Sequence, residues 1–109
     1  IKRVRTADGE PIFEENIFVP FDAYRELLTA DLEDKSIFAE VERVGGTPIV
    51  SVGYRTVEAV RANTEQAAEL GIAPHDPLLN LRASFTGPNG EPVLMGKQYY
   101  VGSRYVMVM

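Results

Sequence analysis

Arg3 and Arg5 are the residues of this chain whose type and spacing come nearest to chemistry. Side chains two positions apart on a strand stand on the same face, so both guanidinium groups project side by side. Two planar donor forks in that arrangement suit a carboxylate or a phosphate. They are equally served by pairing with sheet acids such as Glu14 or Glu15, and spacing alone leaves both readings open. On the partner strand, Glu15 can order a guanidinium or accept hydrogen bonds from ligand hydroxyls. The run Asp34-Lys35-Ser36 opens a helix, whose N-terminus presents free amides and the positive end of the helix dipole. Ser36 adds a hydroxyl there, and the same run also serves as a simple cap. Tyr99, Tyr100 and Tyr105 gather near the C-terminal end. A tyrosine in such a place either aims its hydroxyl at a polar ligand or packs as an ordinary strand residue. These side chains form an anion-binding set if the fold brings them together.

Several function classes are excluded or disfavoured. The 109 residues contain no cysteine, so disulfides, thiolate nucleophiles and cysteine metal sites are absent. The one histidine, His75, lies between Pro74 and Pro77 and reads as a solvated loop residue rather than a catalytic base. No GxSxG, HExxH, P-loop or GxGxxG pattern occurs. No catalytic residue, metal or cofactor is assigned. The balance of 11 Lys+Arg against 16 Asp+Glu, net −5, argues against nucleic-acid binding by this segment. No apolar run approaches the ~20 residues of a membrane span. The opening Ile1-Lys2-Arg3-Val4-Arg5 and the closing Arg104 to Met109 both read as strand, which suggests a piece of a longer polypeptide.

The elements that must position these residues follow from periodicity and turn chemistry. Residues 1–6 and Ile12 to Val19 read as a hairpin around Asp8-Gly9, with Pro20 ending the second strand. Phe21, Tyr24, Leu27 and Leu28 give a short helical pattern over 21–32. Asp34 is placed to cap a second helix with the stripe Ile37, Phe38, Val41 and Val44, stopped by Gly45-Gly46. Residues 47–60 read as a long strand with a bulge or bend at Gly53. Asn63 and Gln66 make a capping box for a third helix, and Gly71 closes it. Leu78 to Thr86 and Val93 to Tyr100 flank the turn Gly87-Pro88-Asn89-Gly90, and Tyr105 to Val108 reads as a last short strand. The order β-β-α-α-β-α-β-β-β predicts one α+β domain over residues 1–109, an antiparallel sheet with helices packed against it.

The run Arg3-Val4-Arg5-Thr6-Ala7-Asp8-Gly9-Glu10-Pro11-Ile12, with Glu15 and Val19-Pro20, resembles the opening of the UTRA effector-binding domain of GntR-type transcription regulators of the HutC subfamily. The resemblance continues collinearly through Ser36-Ile37-Phe38, Ala59-Val60-Arg61-Ala62, Thr64 to Leu70, Pro88 to Val93 and Tyr99-Tyr100-Val101-Gly102-Ser103-Arg104-Tyr105. It implies a chorismate-lyase-like fold and a cytoplasmic, homodimeric regulator. A small anionic metabolite, phosphorylated or carboxylate, is the implied effector. The implied operator-binding winged helix-turn-helix and the family's first effector-domain strand lie outside these residues.

Residue by residue, the resemblance places Arg3 and Arg5 on the family's anion-binding arginines and Glu15 on a ligand-side glutamate. Ser36 falls on an anion-contacting serine and Tyr100 on a pocket tyrosine. Phe38 stands where an anion-contacting tyrosine can occur, and Leu94 where binders of amino-sugar phosphates carry a glutamate. Both changes remove polar groups, which points away from an amino-sugar phosphate. The leading expectation is therefore a ligand-sensing and dimerisation domain. The rivals are a chorismate-lyase-like enzyme and a dimerisation module without a ligand, for which Val106 and Val108 offer an apolar strand edge.

Overall fold

The computed structural model describes residues 1–33 and 35–108. Five strands form one antiparallel sheet: β1 (Lys2–Ala7), β2 (Glu10–Phe18), β3 (Ser51–Arg61), β4 (Pro77–Thr86) and β5 (Pro92–Val101). Their spatial order is β1-β2-β5-β4-β3, which leaves β1 and β3 at the two edges. Two helices, α1 (Ile37–Gly45) and α2 (Thr64–Leu70), pack on the sheet. No helix among the described residues is long and apolar enough to cross a membrane. The predicted α+β class and antiparallel sheet are the observed ones.

Local chemistry accounts for most boundaries. The β1–β2 turn places Asp8 at φ 53° and Gly9 at φ 78°, the paired positive values of a type I′ hairpin, which Asp-Gly adopts readily. The Asn63 side chain accepts from the Gln66 amide at 2.8 Å, and the Gln66 side chain accepts from the Asn63 amide at 3.1 Å. Gly71 at φ 66° ends α2. The register of β3 on β4 shifts between Val52 and Tyr54, so Gly53 does sit at an irregularity.

The strand expected over 47–60 runs instead over Ser51–Arg61, and three further expectations change. The pattern over 21–32 is not an α-helix but a single 3₁₀ turn at Arg25–Leu28. Tyr24 at its start and Leu27 one turn on are buried, while Leu28 and Phe21, which lies ahead of the turn, are exposed. The cap expected at Asp34 lies outside the described residues; Ser36 caps α1, its hydroxyl accepting from the Ala39 amide at 3.3 Å. Tyr105 to Val108 form no strand. After the turn at 102–104 the chain leaves the sheet, and Tyr105 stacks on Tyr100 with ring centroids 4.3 Å apart instead of entering a ladder.

Register fixes which side chains share a face. Three successive rows run across the same side: Arg5, Phe13, Tyr100, Leu79 and Ala59; then Arg3, Glu15, Gln98, Leu81 and Val57; then Ile17, Gly96, Ala83 and Arg55. At one end of this face, Ile17 and Leu94 pack with Ile37 and Val41 of α1 and with Tyr24 and Leu27 of the 3₁₀ turn. The other face holds α2, where Ala67 and Leu70 cover Leu78, Val101 and Tyr99.

The seat of α2 contains a carboxyl pair. Glu14 is buried, and burial is the main cause that pushes its carboxyl above the usual range. Glu69 is held below that range, chiefly by the Lys2 ammonium, which donates to it at 2.7 Å. Of the two carboxyls, Glu14 is therefore the one biased toward its protonated form. A group whose folded pKa is raised stabilises fully below its unfolded pKa and loses that contribution as pH rises through the folded value. Glu14→Gln mimics the protonated form. Urea unfolding from pH 4 to pH 8 is expected to show the variant gaining stability relative to the parent as pH rises. Parallel pH profiles would contradict the raised Glu14 carboxyl.

Candidate effector site

A hydrogen-bonded chain crosses β1, β2 and β5 on the row-bearing face. Arg3 donates from Nε and Nη2 to Glu15 Oε1 at 3.0 and 2.8 Å. Its Nη1 donates to the carbonyls of Leu32 and Lys35, both at 2.9 Å. Gln98 Nε2 donates to Glu15 Oε2 at 3.3 Å, and the Tyr100 hydroxyl donates to Gln98 Oε1 at 2.8 Å. In-register placement on neighbouring strands is what makes these pairs meet. Burial, then the nearby Tyr105 and Glu15, push the Tyr100 phenol up to about 12, so it remains a neutral donor at physiological pH. Phe13 stacks on the Tyr100 ring at 4.6 Å and fixes its plane.

This chain ends at a cavity of ≈ 430 Å³, within the usual size of small-ligand sites. Its floor is Gly96 and Ala83, its sides include Phe38, Phe85, Tyr100 and Arg55, and Tyr105, Met107 and Val108 border it. Phe38 and Phe85 meet edge to face at 5.0 Å. A separate groove of ≈ 570 Å³ runs along β1, lined by Arg3, Arg5, Leu32 and Glu33 among others.

The structure thus divides the residues singled out from the sequence. Phe38 and Tyr100 line the cavity. Arg3 and Arg5 share a face and line the β1 groove. Glu15 is buried between the two, bonded to Arg3 on one side and Gln98 on the other. Ser36 borders neither space and its hydroxyl caps α1. Leu94 is only 4 % exposed and lies in the core beneath α1, off the cavity wall. Of the three tyrosines, Tyr99 belongs to the opposite face, against α2. His75 is an exposed loop residue at φ 73°. Sequence reasoning did not single out Gln98, although its place two residues before Tyr100 on one strand puts both on the same face.

Comparison with known proteins agrees with this architecture. Residues 1–106 match the family model described as the UTRA domain. The HTH-type transcriptional repressor NagR of Bacillus subtilis (strain 168) is 33% identical over 108 residues, 99% of this chain and 44% of the repressor. The chain thus spans less than half the length of that relative. A GntR-family transcriptional regulator from Enterococcus faecalis V583 superposes with a TM-score of 0.85 at 27% identity, covering 99% of this chain and 76% of that one. The effector domain of PhnF from Mycobacterium smegmatis shares the fold, with a TM-score of 0.85 at 24% identity over 99% of this chain and 67% of that one. The chain belongs to the UTRA domain family.

Proposed function

We propose that this chain is the effector-sensing part of a GntR-type transcription regulator of the HutC subfamily, acting in the cytoplasm through an operator-binding domain outside these residues. The observation that carries the reading is the ≈ 430 Å³ cavity on the face of a sheet of this family, with Phe38 and Tyr100 in its wall. The net charge of −5 fits a module that leaves operator contact to another domain. The effector is a small anionic metabolite. Arg3, Glu15 and Gln98 hold the wall in place, Arg5 adds positive potential beside it, and Ser36 fixes the start of the helix that carries Phe38.

Regulation follows from linkage. The effector favours one arrangement of a homodimer and the operator favours another, so each weakens binding of the other. Pairing of two copies is supported by the exposed edge strand β3, which carries Val52, Tyr54 and Val57 at the surface. Val106 and Val108 are also exposed, at 85% and 92%. The same exposed edge is what favours the second reading, a dimerisation module without a ligand.

A thermal-shift panel of phosphosugars, alkylphosphonates and small carboxylates tests the sensing role. A true effector at a hundredfold over its Kd is expected to add about 2.7 kcal/mol, and Tyr100→Ala should remove most of that gain. If no member of the panel raises Tm while sedimentation shows a dimer, the second reading stands in its place.

A further inference from the structure

Among the described residues, Arg55 is the one side chain with a formal charge in the cavity wall. It stands on β3 at the end of the row Ile17, Gly96, Ala83. The two small residues in the middle of that row leave a trough between Arg55 and Ile17, and Tyr100 lines the same cavity. A Cβ on Gly96 would come to 3.5 Å from Ile17 Cδ1, so the trough floor is already in contact with the core. Arg55 forms no ion pair among the described residues.

Arg3 is differently placed. Nε, Nη1 and Nη2 are all engaged, by Glu15 and by two backbone carbonyls. It lies on β1, four strand spacings from β3, which at ~4.8 Å each is about 19 Å. One small head group cannot be shared by Arg3 and Arg55. The walls beside Arg55 are aromatic or aliphatic: Phe38, Phe85, Leu81 and the stacked pair Tyr100 and Tyr105. The polar groups within reach, Gln98 and the Tyr100 hydroxyl, are bonded to each other. A ring of several sugar hydroxyls there would give up more hydrogen bonds to water than these few groups can replace, which is costly. A single carboxylate on a flat apolar body would not.

We propose that Arg55 anchors the anionic group of the ligand and that the ligand is a small carboxylate with an aromatic or otherwise apolar body. This rests on the cavity being the effector site and narrows what that site takes.

The test uses cinnamate, its neutral analogue cinnamamide and glucose 6-phosphate as probes of the 109-residue chain. Calorimetry is combined with NMR of the arginine Nε–H and aromatic signals. Cinnamate is expected to bind saturably and to move the Arg55, Phe38 and Tyr100 signals while leaving Arg3 in place. Cinnamamide should bind at least tenfold more weakly. Arg55→Ala, an exposed substitution whose folding is checked by its melting curve, should cost cinnamate at least tenfold and abolish the discrimination. Arg55→Lys should retain part of it. Equal cinnamate affinity in Arg55→Ala overturns the assignment, as does failure of cinnamate to bind. If glucose 6-phosphate binds and moves Phe38 and Tyr100, the cavity remains the effector site and only the carboxylate anchor falls. If bound probes move only β1 signals, both readings fall.

Discussion

Arg3→Ala is expected to destabilise the domain by about 3–5 kcal/mol, the usual result of removing one partner from a buried ion pair. The side chains of Arg3 and Glu15 are only 15% and 7% exposed. Without the guanidinium, Glu15 keeps one neutral partner, Gln98 at 3.3 Å, for a buried charge. The carbonyls of Leu32 and Lys35 lose their donor as well, and with it the tie between β1 and the segment leading into α1. For a domain near 100 residues, each kcal/mol moves Tm by roughly 4–8 °C, so the loss is easily read by urea or thermal unfolding at pH 7. A double-mutant cycle with Glu15→Ala should return a strong coupling. A loss below about 1 kcal/mol, the range of exposed pairs, would show that the pair is solvated in solution. Effector response that disappears in Arg3→Ala is therefore not by itself proof of an anion contact. Arg5→Ala is the cleaner probe of charge near the site, because Arg5 makes no hydrogen bond among the described residues whose loss would disturb the fold.

The parts of the fold legible in the sequence are those settled by local chemistry. Asp8-Gly9 specifies a two-residue hairpin because few other pairs accept two positive φ values. Asn63 and Gln66 announce α2 because their side chains satisfy the helix's own free amides. The 21–32 region misled because Phe21, Tyr24, Leu27 and Leu28 fit periods of 3.0 and 3.6 alike, and burial against α1 selects between them. Tyr105 to Val108 misled because a strand needs a partner edge, and these residues use their inward side chains against Tyr100 and the cavity instead. For the site, the spacing of Arg3 and Arg5 and the presence of Glu15 opposite were readable from a single hairpin. Which of the two roles Arg3 takes was not, since the Leu32 and Lys35 carbonyls reach it only through tertiary packing. The cavity itself depends on β5 lying between β2 and β4 and on β4 lying beside β3. No local pattern brings Gln98 and Arg55 to one face across three strands.

Leu94→Glu is expected to be the most damaging single change at the positions considered, and its cost should grow with pH. Leu94 is 4 % exposed and packs with Ile17, Tyr24, Leu27, Ile37 and Val41, a cluster without a charged member. Loss of a buried leucine side chain alone costs about 2–5 kcal/mol. A carboxyl placed there adds the cost of burying a polar group without partners. In that setting the carboxyl's folded pKa lies above its unfolded value, because desolvation penalises the charged form. The protonated variant is therefore the more stable one, and its stability falls as pH rises above the ordinary glutamate range. Leu94→Gln, which has no charge to gain, should be destabilised by a similar amount at low pH and show no such fall. Urea unfolding of both variants between pH 4 and pH 8 makes the comparison. If Leu94→Glu is instead as stable at pH 8 as at pH 4, position 94 must open toward solvent or toward the cavity. A polar group would then be tolerated on that wall, and the preference for an apolar ligand body would lose its footing. If the variant fails as expected, the apolar seal beneath Phe38 is a requirement of the fold in this chain. A polar substitution there cannot then be used to widen its ligand range without repacking α1.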